Sequence, residues 1–180
     1  MKLTKVSYLL FIFGIFISGI TQAASKSEID SDVQSALTAF YNLSTGNKEL
    51  ASKAAGVLVF PLVMKAGFFV GGDYGEGVLQ VGGKTVDYYS TAAISFGLQL
   101  GAQSRSEVIL FMDKEALENF QVRDGWAAGI DGSVAVIDSG VGKGVNTETA
   151  REPIIAFIFS NKGLMGNLSL EGYKFSKIYR

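Results

Sequence analysis

Residues 56–79 read GVLVFPLVMKAGFFVGGDYGEGVL, apolar at the start and rich in glycine toward the end. Three structures could use such a stretch: a membrane span, a nucleotide-gripping loop, or strands joined by a glycine-rich turn. A span needs about 20 apolar residues in a row. Lys65 interrupts the run, and the glycines would leave backbone groups without partners in hydrocarbon. A dinucleotide loop needs G-x-G-x-x-G between a strand and a helix. Here Gly72-Asp73-Tyr74-Gly75-Glu76-Gly77 has that spacing reversed, and Val78-Leu79-Gln80-Val81 continues as a strand. Gly142-Lys143 fails as a phosphate loop in the same way, because Gly144 stands where Ser or Thr should hold magnesium. Strands joined through glycine are what remains.

Outward from this stretch the same texture continues. Residues 57–62 and 67–71 read as strands, with Pro61 placing the first at an edge or a strand end. Residues 78–81 and 84–103 form the strongest hairpin signal, since Gly82-Gly83 supplies the positive φ angles of a two-residue turn. On the returning strand Ile94, Phe96, Leu98 and Leu100 point one way, while Ala93, Ser95, Gly97, Gln99 and Gly101 make a smooth face on which a helix or another backbone can lie close. Residues 108–112 form a further strand, and Asp113 caps a helix through Phe120 that turns Leu117 and Phe120 inward. A strand is expected over 129–137 and a glycine-containing loop over 139–146. Residues 153–159 and 164–175 read as a final hairpin across Asn161-Lys162-Gly163. Before the sheet, Ile29, Val33, Ala36, Leu37 and Phe40 recur at helical spacing, capped by Ser27 or Asp30. Asn47 caps a second helix through Ala55 that Gly56 ends. The expected fold is α+β: one domain, a curled, mostly antiparallel glycine-rich sheet or barrel-like core, two N-terminal helices and one mid-chain helix.

Composition narrows the function. Residues 1–5 carry Lys2 and Lys5, residues 6–20 are uncharged and apolar, and Thr21-Gln22-Ala23 fits a signal-peptidase site. Residues 1–23 therefore read as a signal peptide and residues 24–180 as the exported domain. Setting aside Lys2 and Lys5 leaves 14 of the 16 basic residues against 17 acidic ones, a net charge of −3. That balance argues against nucleic acid as a partner. With no cysteine, the domain holds no disulfide and carries no lipid on a cysteine, so it is not a lipoprotein of that kind. With no histidine either, a Ser-His-Asp triad, a cysteine nucleophile and a His/Cys zinc site are all excluded.

The run Gly56-Val57-Leu58-Val59-Phe60-Pro61, then Lys65-Ala66-Gly67-Phe68, Gly71-Gly72 and Gly75-Glu76-Gly77-Val78-Leu79, resembles the opening signature of the SYLF domain family, also called the Ysc84 actin-binding family. Later segments agree in order: Tyr88-Tyr89, residues 95–103, Phe111-Met112 ahead of Ala116-Leu117, Gly129-Ile130-Asp131, residues 162–166, and Leu170-Glu171-Gly172. The resemblance runs from about Val33 to the C-terminus and points to the bacterial, exported branch. It implies a non-enzymatic protein that binds phospholipid, phosphoinositide-like or otherwise anionic, in the cell envelope: periplasmic or extracellular, peripherally attached to membrane at most. Actin is not an expected partner for an exported chain with no SH3 domain.

Lipid binding of this kind needs cations for phosphate oxygens and apolar side chains for the interface. Lys53, Lys65, Lys143, Lys162 and Lys174 are the lysines nearest the motifs, and Phe68 and Phe69 the nearest adjacent aromatics. The N-terminal helix could offer its apolar stripe to lipid, but Glu28, Asp30 and Asp32 on its polar face would repel anionic headgroups, so packing on the sheet is the expectation. Two other classes remain open: an envelope adaptor that binds a protein through the smooth glycine face, and a carboxylate-based hydrolase or calcium binder using Asp124, Asp131, Asp138 and Glu148. The spacing of those acids matches no calcium loop. Asp131, Glu76 and Glu171 could instead accept backbone N–H bonds in tight glycine turns. No cofactor, metal or catalytic residue is expected.

Overall fold

The computed structural model describes residues 24–139, 149–162 and 169–179, and within them the side chains of all but 68–70, 95–102, 150 and 161. The signal-like residues 1–23, Lys143, Glu148 and the first five residues of the expected strand over 164–175 lie outside the described residues. Helices α1 (Lys26–Leu43) and α2 (Thr45–Lys53) come first, followed by strands β1 (Gly56–Val81) and β2 (Lys84–Phe111). Helix α3 (Lys114–Val122) leads to β3 (Trp126–Ala127), β4 (Ala135–Asp138), a short 3-10 turn at Thr149–Arg151, β5 (Ile154–Lys162) and β6 (Lys174–Ile178). The class is α+β, as expected, in a curled half-barrel.

Local chemistry accounts for the helices. Ser25, not Ser27 or Asp30, starts α1. Its hydroxyl accepts from the Glu28 N–H (3.3 Å) while the Glu28 carboxylate accepts from the Ser25 N–H (2.8 Å), a reciprocal cap. The expected stripe is the buried one: Ile29, Val33, Ala36, Leu37 and Phe40 all face the sheet. Ser44 rather than Asn47 caps α2, because Asn47 is buried and donates its side-chain amide to the Phe40 carbonyl (2.9 Å), joining the two helices. Asp113 caps α3 as expected, accepting from the Ala116 N–H (2.7 Å).

The sheet departs from the sequence reading in one decisive way. Glycine clusters that read as breaks are bends, and the separate strands fuse into two very long ones, of 26 and 28 residues. They pair antiparallel from Gly56↔Phe111 to Val81↔Lys84, closed by Gly82 and Gly83 at φ 58° and 76°. Strand β2 is central. Strand β1 lines one of its edges throughout, while the other carries β6 opposite residues 88–92 and β5 opposite residues 104–111. Strands β5 and β6 are therefore neighbours of β2 and not the final hairpin the sequence suggested, and β4 adds to β5 in parallel. Pro61 sits where the register slips between Phe60 and Val63, on the edge strand, so its missing N–H breaks no ladder bond there.

The long hairpin folds over on itself, and glycine permits it. A β-carbon on Gly75 would lie 2.7 Å from the Leu62 carbonyl oxygen, and one on Gly77 would overlap the Val59 carbonyl oxygen and stand 2.8 Å from a Phe60 ring carbon. The first arm of β1 thus rests directly on the backbone of its second arm. The concave face so made encloses Leu58, Phe60, Val63, Leu79, Tyr89, Phe175 and the α3 residues Leu117 and Phe120. The convex face is covered by α1, whose stripe packs on Val59 from the first arm and Val78 from the second. Burying each such large apolar side chain is worth about 1.5–3 kcal/mol, which lets two layers substitute for disulfides.

Replacing Gly77 with alanine should cost about 3 kcal/mol or more, since backbone and not a flexible side chain occupies the space. Gly72→Ala, whose nearest obstacle is the Ala93 carbonyl oxygen at 3.6 Å, should stay within about 0.5 kcal/mol of the parent in urea unfolding. Equal losses in the two variants would place the constraint in general strand propensity instead of the contact.

Candidate functional site

Period-two alternation sends Asp73 of β1 and Arg105 and Glu107 of β2 to the concave face, where they meet Tyr173, just before β6. Arg105 donates from Nε to Glu107 Oε1 (2.7 Å), from Nη1 to Asp73 Oδ2 (2.9 Å) and from Nη2 to the Tyr173 hydroxyl (2.7 Å). The Tyr173 hydroxyl donates in turn to Asp73 Oδ2. The Arg105 guanidinium also lies over the Tyr173 ring at 5.3 Å. The cluster ties together both arms of the folded hairpin and the approach to β6. Among the described residues Asp73, Arg105 and Glu107 are the charged side chains that are buried. Asp73 Oδ1, Glu107 Oε2 and the Thr91 hydroxyl are buried beside no hydrogen-bond partner.

The electrostatics follow from burial. Loss of water pushes the Glu107 carboxyl up, the adjacent Arg105 pulls it back, and Asp73 pushes it up again; the balance is upward. Burial works against the Arg105 cation, but the pull of Glu107, Tyr173 and Asp73 outweighs it and holds the proton more firmly. Burial also raises the Tyr173 phenol, with Arg105 opposing and Asp73 reinforcing. None of these residues was singled out from sequence. The signal available was charge at alternate positions, Arg105-Ser106-Glu107, opening the otherwise apolar run 108–111.

The described lysines among those proposed from sequence do not form one patch. Lys53, at the end of α2, is exposed and paired with exposed Glu49 (2.6 Å). Lys65 stands opposite Gln103 and Lys162 opposite Ser104, whose other neighbour is Met64. Adjacent rows alternate faces, so Lys65 belongs to the concave side and Lys162 to the convex one. Lys174 shares a row with Ala92 and Tyr74, also convex, and its side chain lies across Gly125, whose positive φ of 74° favours glycine. Phe69 pairs with Gly97, and Phe68 falls in the register slip at the bend between Gly67 and Phe69. The same convex face exposes Met64 (52%), Tyr74 (53%) and Ile94 (75%) around the bend. Ile94 is thus turned to solvent, while its neighbour Ala93 packs against the concave core.

The acidic alternatives take quieter parts. Asp131 accepts from Arg123 (2.6 Å) and from the Ala127 N–H (2.8 Å), the turn-stabilising role anticipated for it. Its turn faces Ser169–Glu171 across a half-open cavity of about 440 Å3. There the Gly172 N–H donates to the Ala128 carbonyl (3.2 Å), so the two motif segments Gly129-Ile130-Asp131 and Leu170-Glu171-Gly172 come together in space. Among the described residues no three acidic side chains converge as a metal set, and no helix is long and apolar enough to cross a membrane.

The charge cluster is sealed inside the folded hairpin, and the bend outside it is partly apolar and flanked by lysines. The family model Ysc84, described as Las17-binding protein actin regulator, matches residues 92–178, so this segment is similar to that family, also called SYLF. The matched segment runs from the second half of the hairpin to the end of β6. No curated protein matches the chain.

Arg105→Met, which leaves two acids in the core without a countercharge, should cost about 3–5 kcal/mol in denaturant unfolding. Tyr173→Phe, which removes one hydroxyl, should cost about 1–3 kcal/mol. A loss in Tyr173→Phe as large as that in Arg105→Met would show that the hydroxyl, not the guanidinium, holds the arms.

Proposed function

We propose that this chain is a non-enzymatic envelope protein that docks on anionic phospholipid through the convex face at the bend of its hairpin. One observation carries the reading: strand register places exposed Met64, Tyr74 and Ile94 on the face that also bears Lys162 and Lys174. Apolar side chains that enter the headgroup layer, flanked by cations for its phosphates, are what peripheral attachment requires. The acid on that face, Glu76, accepts from the Tyr74 hydroxyl (2.7 Å). On that face Lys162 and Lys174 outnumber Glu76, so the local sign is favourable although the chain as a whole is acidic. Helix α1 has its apolar stripe on the sheet, which favours the bend over the helix as the inserting element. In this reading residues 1–23 serve as an export signal, which separates the protein from actin and places it beside envelope lipid.

Co-sedimentation with vesicles of anionic and zwitterionic phospholipid tests this. The double variant K162E/K174E should bind anionic vesicles at least about tenfold more weakly, at roughly 1 kcal/mol per charge near the surface, and its residual binding should depend less on salt. Ile94→Asp should also weaken it, whereas Lys65→Glu, on the concave side, should change it less. Full-strength binding by both K162E/K174E and Ile94→Asp would remove the bend from the account and leave a protein partner as the better reading.

A further inference from the structure

The buried cluster does not balance. It holds one guanidinium and two carboxyl groups, Asp73 and Glu107, each with an oxygen that finds no donor. Left as two anions and one cation, it would keep a net negative charge in a core that water does not reach, which costs several kcal/mol. The two acids are not equivalent. Asp73 accepts from Arg105 and from Tyr173, while Glu107 accepts from Arg105 alone. The neighbours in the Glu107 row, Phe60 on β1 and Ile158 on β5, are apolar and fully buried. The titratable groups that act on it are Arg105 on its own strand and Asp73 from the second arm of β1, and Tyr173 ahead of β6 bonds to both of these.

We propose that Glu107 is a proton-holding site: the cluster keeps its carboxyl neutral at neutral pH, so that the folded arms enclose one cation, one anion and one stored proton. The proton cancels the surplus charge at the acid with fewer donors. It also converts Glu107 into a hydrogen-bond donor, in a core where Asp73 Oδ1 and the Thr91 hydroxyl oxygen are acceptors in want of one. The upward push of burial on Glu107 agrees with this geometry.

The consequence has a definite sign. An acid that keeps its proton in the folded chain and loses it in the unfolded chain stabilises the fold most at low pH. That stabilisation falls as pH rises from the unfolded glutamate value, near about 4.3, toward the point where the folded chain releases the proton. Urea unfolding of the wild type and of Glu107→Gln, which mimics the protonated acid, should therefore diverge with pH. Between about pH 5 and about pH 7 the unfolding constant of the wild type should rise relative to that of the variant by about tenfold per pH unit. A ratio that stays flat over this range overturns the assignment. If Glu107→Gln does not fold, glutamate-selective 13C labelling of the wild type decides: one side-chain carboxyl signal at the protonated position at neutral pH supports the stored proton, and its absence overturns it. A stabilisation that follows sodium or potassium concentration at fixed pH and ionic strength would assign the surplus charge to a bound cation, and so overturn the proton as well.

Discussion

The contact on which everything else rests is backbone against backbone: the carbonyls of Val59 and Leu62 lying on Gly77 and Gly75. A hairpin this long would otherwise run as a flat ribbon with two exposed faces, and a two-stranded ribbon has no independent stability in water. Folding it over at glycine produces an inside. The concave side then gathers residues from both ends of both strands, which is why Leu58 and Leu79, far apart along β1, share one core. Close approach of this kind leaves no room for a side chain. Gly75 and Gly77 are thus a packing requirement and not a sign of a loop.

Once the arms meet, charge decides how firmly they hold. Arg105 joins residues separated along the chain by 32 and 68 positions, and Tyr173 reaches Asp73 across 100. An arginine suits the task because its planar donors diverge, so that one side chain serves three partners at once. The arrangement gives specificity of closure more than net stability, since taking ions out of water offsets much of their attraction. The outside of the bend is then free to differ from the core in purpose, and its apolar and basic residues need answer to nothing inside.

Much of this could be read along the chain. Helical spacing marked the stripe of α1, Asp113 marked the start of α3, and Gly82-Gly83 marked the hairpin turn, because each is a local rule with a local cause. What could not be read were consequences of pairing at a distance. Gly67, Gly71 and Gly75 look the same in sequence whether a strand ends or bends there; only the partner strand distinguishes them. The slip between Phe60 and Val63 shifts which residues of β1 face inward, so no count along β1 could have assigned Lys65 to one side and Met64 to the other. The charge cluster was invisible for the same reason: Asp73, Arg105, Glu107 and Tyr173 belong to four separate places in the sequence, and each alone resembles a surface residue. The carboxylate of Asp131, by contrast, was legible as a turn element because its donor lies four residues away.

Helix α1 lies over Val59 and Val78 together, and Tyr88, near the hairpin turn, donates to Asp30 on its flank (3.0 Å). It therefore acts as a splint across a joint. A splint that spans both members cannot lift from one without freeing the other, so the helix and the fold-over share a single unfolding transition. Strain applied at the N-terminal end of the domain is in this way delivered to the bend, although no residue of the helix is near it in sequence.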